Sequence, residues 1–120
     1  MNTQIEEFLA KVKRGERVAF SDTLAVISQH YDYRPTRFFN GIGEGRIVNE
    51  AGANEGSCKI FYFAKLHNLS AGETLALFGD HYWRDVLEHP DAAGHANIRT
   101  FMKHGWAGIA YEGEALHRRD

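Results

Sequence analysis

The chain has 120 residues, a length that suits one domain spanning 1–120 with a single hydrophobic core that buries about two-thirds of the unfolded surface. Its 14 basic and 16 acidic side chains give a net charge of −2, which provides no footprint for nucleic acid or for an anionic membrane. One cysteine excludes an intrachain disulfide framework and fits a reducing compartment, and no apolar run approaches the roughly 20 residues that span a bilayer.

Thr3 and Glu6 form a capping box ahead of Ile5, Phe8, Leu9 and Val12, which share one helical face. That spacing predicts a helix over 3–14, closed by Gly15 in the left-handed conformation. A helix beginning at residue 3 leaves no room for a secretory signal and points to the cytoplasm of the producing cell. Ser21 or Asp22 caps a second helix through Leu24 and Ile27 to Tyr31, since Pro35 biases Arg34 away from helix. Residues 36–39 and 46–48 read as the strands of a hairpin, with turn signals at 40–41 and 43–45 that leave its closing turn open. The loop 49–57 precedes a helix capped by Asn54 or Ser57 and running to about His67. Its residues Ile60 to Ala64 and Leu66 surround the axis, as in a central helix. Asn68 ends it in the left-handed conformation. Ser70 and Glu73 make a second capping box, and Gly79 breaks the helix that follows. Asp80 caps a helix through Leu87, and Pro90 stops it. Residues 91–95 are a loop, Ile98, Phe101 and Met102 mark a last helix ended by Gly105, and 106–112 reads as a closing strand, with 116–120 frayed. The sum is an α+β fold of about six helices around one central buried helix, with a small antiparallel sheet of about three strands.

The runs FSDTLAVI (20–27), NEGSCKIF (54–61), LFGDHYWRDVL (77–87) and HANIRTFMKHGW (95–106) resemble the HopJ type III effector family over nearly the whole chain. The resemblance implies a bacterial protein exported into a host cell. It brings no established reaction and no catalytic set.

Two loops, 49–58 and 91–99, carry more polar groups than turning requires. They are expected to converge at the amino end of the central helix and form a pocket. Its binding groups would be Asn49, Glu50, Asn54, Glu55, Ser57, Asn97 and Arg99, with Tyr33 from the Tyr31–Thr36 stretch as a wall. Glu50 and Glu55 would accept hydrogen bonds or meet a cation, and Arg99 would pair with an acid and hold the His95 loop. This pattern predicts a binding module for a small polar ligand or a protein or peptide partner. The alternative is a cysteine-dependent transferase or hydrolase. In that reading Cys58, in the first turn of its helix, is the nucleophile and His95 the proton carrier. Against it, Glu50 and Glu55 would raise the thiol's pKa, and a free cysteine is most often a buried packing residue. His81, Asp85 and His89 lie on one stripe of a helix, read as solvent-facing. A step of four rises about 6 Å, so only one adjacent pair could share an ion, with Glu50, Glu55 or His95 completing its shell. No metal and no cofactor is expected, and the absence of a Walker pattern argues against a phosphate cradle.

Overall fold

The computed structural model describes the chain from Thr3 to Arg119, with only the backbone of Thr3; the Thr3 half of the first capping box therefore lies outside the described residues, as do Met1, Asn2 and Asp120. Six helices and five short strands follow in the order α1 (Thr3–Lys13), α2 (Phe20–His30), β1 (Tyr31–Tyr33), β2 (Phe38–Asn40), β3 (Ile47–Asn49), α3 (Glu55–Leu66), α4 (Ala71–Ala76), α5 (Asp80–Trp83), α6 (Ala96–His104), β4 (Ala110–Tyr111) and β5 (Leu116–Arg118). The α+β class therefore holds.

Local chemistry accounts for most boundaries. Gly15 follows α1 at φ +84, and Asn68 follows α3 at φ 54, the left-handed positions that let a chain leave a helix. At α4 both halves of the capping box are made: Glu73 N donates to Ser70 Oγ at 3.1 Å, and Ser70 N to a Glu73 carboxylate oxygen at 2.9 Å. Other caps fall elsewhere than expected. Ala19 starts α2 with no side-chain cap, so Ser21 and Asp22 sit inside its first turn, where Asp22 still complements the helix dipole. Gly79, not Asp80, precedes α5. A Cβ on Gly79 would stand 2.6 Å from Phe20 N, so the glycine lets two backbones touch. The helix expected over 80–87 closes after Trp83 and continues as turns.

The expected antiparallel sheet of three strands is present in the order β3-β2-β4, with Phe38 opposite Asn49 on one side and Tyr111 on the other. Residues 105–108 form a 3₁₀ turn first, so the closing strand is shorter than 106–112. A second sheet was not expected. β1 pairs with β5, Tyr31 opposite Arg118 and Tyr33 opposite Leu116. The tail is therefore a paired strand through Arg118, with Leu116 buried.

Aromatic rings hold the layers together. Phe61 of α3 packs at 4.9 Å from Phe101 of α6, 5.3 Å from Phe78 and 6.2 Å from Phe38 of β2. Phe63, on the other side of α3, meets Tyr31 of β1 at 5.8 Å and Phe8 of α1 at 6.4 Å. Ile60 to Ala64 are all buried, each large one contributing about 1.5–3 kcal/mol, while Leu66 at the end of α3 faces solvent. α3 is thus fixed from several sides, and so is whatever its first turn presents.

Candidate functional site

Two helices begin in an unusual way. An N-cap residue is normally extended and caps with its side chain. Asn54, before α3, has φ 52 and ψ 50; His95, before α6, has φ 58 and ψ 51. Neither makes a side-chain cap. The first helical bonds run from Cys58 N to Asn54 O and from Arg99 N to His95 O. Among the described residues, the N–H groups of Glu55, Gly56 and Ser57, and of Ala96, Asn97 and Ile98, have no protein acceptor. Both helix ends keep unsatisfied donors and the positive pole of their dipoles.

Asparagines bind these two ends together. Asn49 and Asn97 form a reciprocal amide pair, Nδ2 to Oδ1 at 3.1 Å one way and 2.9 Å the other. Asn40 Nδ2 donates to the Asn97 carbonyl at 2.8 Å and to its side-chain oxygen at 3.0 Å. Asn54, freed from capping, donates to Asn49 Oδ1 at 2.7 Å. Asn40, Asn49 and Asn97 are buried. Burying amides without partners would cost a few kcal/mol, so this network specifies one relative placement of β2, β3, α3 and α6. The loops 49–58 and 91–99 meet, as their polarity suggested.

Where they meet there is a cleft of about 380 Å³, within the range of small-molecule sites. Phe20, Ile47, Phe78 and Ile98 form its apolar walls. Asn54, Ser57, Asn97, His81 and His95 supply polar groups, and Gly56 and Ala96 bring the helix ends to its edge.

Other expected residues stand elsewhere. Glu50 pairs with Arg37 at 3.2 Å on the surface, and Arg37 is held from its other side by Glu112. Glu55 is exposed beside the cleft and does not line it. Tyr33 borders a separate hollow with Asp32, Arg34 and His117. Burial first, then the neighbouring Cys58 and Glu55, pushes the pKa of its hydroxyl up. Arg99 meets no acid among the described residues. It donates instead to the carbonyls of Gly94 (2.6 Å), Asp85 (3.3 Å) and Pro90 (3.4 Å), and so clamps the 85–94 segment to α6.

Cys58 is 1% exposed in the first turn of α3. Its thiol donates to Thr36 O at 3.6 Å, and Tyr111 Oη donates to its carbonyl at 2.6 Å. Desolvation raises the thiol's pKa, with a smaller contribution from the Glu55 charge, so the helix dipole does not prevail. His95 has a different partner: its Nε2 stands 3.1 Å from Asp85 Oδ2. The thiol–imidazole pair of the alternative reading is not formed, and the buried, protonated thiol gives it no support.

His81 was expected on a solvent-facing stripe with Asp85 and His89. Its side chain and that of Asp85 are 40% and 52% exposed, while its Nδ1 also stands 3.4 Å from the same Asp85 oxygen that His95 faces, and its ring lies edge-on to Phe20 at 4.5 Å. The two imidazoles hold the Asp85 carboxyl below its usual range, His81 contributing more. The i,i+4 spacing of His81 and Asp85 was legible. His95 was one of three groups named to complete the shell; that it, and not Glu50 or Glu55, joins the pair depended on where the chain returned.

A family model described as HopJ type III effector protein matches residues 5–116. No curated protein matches the chain. The crystal structure of VPA0580, a protein of unknown function, matches with 42% identity and a TM-score of 0.91, over 99% of this chain and 97% of that one. No helix among the described residues is long and apolar enough to cross a membrane.

Proposed function

The chain belongs to the HopJ type III effector family, and we propose that it acts as a small binding module, holding a polar ligand in the cleft between the 49–58 and 91–99 segments. The reading is carried by the reciprocal Asn49–Asn97 pair, which brings two uncapped helix ends to one concavity. The two uncapped helix ends bring free N–H donors to the cleft, so its ligand presents acceptors: carboxylate, carbonyl or phosphoryl oxygens, favoured by the positive pole of each helix. Phe20, Phe78 and Ile98 then cover the ligand's apolar part. The repulsion that Glu50 would exert on such a ligand is reduced, because that carboxylate is paired with Arg37 outside the cleft.

Thermal-shift screening with small carboxylates, amides and phosphate esters tests the reading. Compounds that raise the wild-type melting temperature should have no effect on Ser57→Trp, whose ring fills the cleft. No stabilising compound, or an equal response from Ser57→Trp, contradicts it.

A further inference from the structure

We propose that His81, Asp85 and His95 form a site for a divalent transition-metal ion on the wall of the cleft, with Zn²⁺ as the fitting probe. One donor atom from each of the three lies within 4.8 Å of the other two. Metal–ligand bonds of about 2.0–2.1 Å at tetrahedral angles place neighbouring donors about 3.3 Å apart. The separations of His81 Nδ1 and His95 Nε2 from Asp85 Oδ2, 3.4 and 3.1 Å, bracket that value. As a hydrogen bond the His81 contact is less well suited, since 3.4 Å is long for N–H···O. Both nitrogens also converge on one carboxylate oxygen. The imidazole rings stand 4.8 Å apart between centroids, inclined at 40°.

Supporting contacts fix the group. Asp85 and His95 come from segments separated by a turn, and Arg99 holds both segments through the Asp85 and Gly94 carbonyls. Because those donors go to backbone oxygens, the Asp85 carboxylate stays available to the imidazoles. His95 is held in the left-handed region, uncommon for a residue other than glycine, and this backbone aims its ring back toward Asp85. His89 is left out because α5 stops at Trp83 and the helical stripe is broken.

Two imidazoles and one carboxylate are the donor set of open zinc and non-haem iron sites, which keep a position for an exchangeable ligand. Both histidines line the cleft and Asp85 does not, so that position faces the cleft. An acceptor oxygen held by the two helix ends would reach the ion from there. Binding of the ion does not itself depend on the ligand reading.

The test uses the full chain, stripped with a chelator and dialysed, and titrated with Zn²⁺ against a chromophoric competitor. One equivalent should bind. Asp85→Asn and His95→Ala should each weaken binding at least about tenfold, while His89→Ala and His117→Ala should leave it unchanged. Co²⁺ should give the visible bands of a tetrahedral site in the wild type and lose them in Asp85→Asn. All three side chains are partly exposed, so the variants should fold, as circular dichroism checks. No stoichiometric binding, or wild-type affinity in Asp85→Asn and His95→Ala, overturns the proposal. The titration contains no cleft ligand, so its outcome is separate from that of the thermal-shift screen.

Discussion

Replacing Asn97 with alanine tests whether the amide network joins the two loops. The side chain makes three hydrogen bonds: two accepted from Asn40 and Asn49, and one donated to Asn49. After truncation Asn40 Nδ2 still has the Asn97 carbonyl, and Asn49 Oδ1 still has Asn54. Asn49 Nδ2 keeps nothing, and Asn49 is 1% exposed. An orphaned buried donor costs roughly 2 kcal/mol, and the other bonds and lost packing about 1 more. The expected loss is therefore about 3 kcal/mol, or about 12 °C at about 4 °C per kcal/mol for a domain of this size. Urea unfolding followed by circular dichroism measures it. In a double-mutant cycle, Asn97→Ala should cost about 1–2 kcal/mol less when Asn49 is already alanine. A loss below about 1 kcal/mol, or additive costs in the cycle, would refute the reasoning.

Cys58 should react with a thiol reagent only slowly at pH 7–8 in the folded protein and stoichiometrically once unfolded; fast native alkylation would revive the nucleophile reading. Deleting residues 116–120 should destabilise the fold by about 3 kcal/mol, because it removes the buried Leu116, the β1 pairing and the bond from Arg119 to Ser28 O; a frayed tail would cost nothing. Burial first, then the charges of Arg118 and Lys13, holds the His67 pKa below its ordinary 6.5. The folded state resists a proton that the unfolded chain accepts, so this stability is complete above about pH 6.5 and lost as pH falls through that window. His67→Gln should flatten the decline, and an unchanged pH profile would show that His67 does not cause it.

Elements governed by local chemistry were legible in the sequence. The Ser70–Glu73 box, the left-handed Gly15 and Asn68, and the hairpin strands each depend on neighbours a few residues away. Features set by distant returns of the chain were not. β1 and β5 are three residues each and pair across most of the sequence, so neither shows a period long enough to read. The polarity of 49–58 and 91–99 signalled a site, but its apolar wall includes Phe20 and Phe78, which lie outside both loops in sequence. Cys58 drew attention because it is unique, yet its environment is set by Thr36, Tyr33 and Tyr111, contributed by strands and loops far from it in sequence. Glu50 and Glu55 looked like ligands because loop acids have no sequence-visible partner; Arg37 is the one that engages Glu50.

Mapping of backbone ¹H–¹⁵N shifts during titration with small carboxylate and amide fragments measures the central claim most directly. Binding in the cleft should move the amides of Gly56, Ser57, Ala96 and Asn97 together, because their free N–H groups border it from two helices. Shifts confined to other surfaces, or a fragment that moves one helix end and not the other, would contradict a single site at their junction.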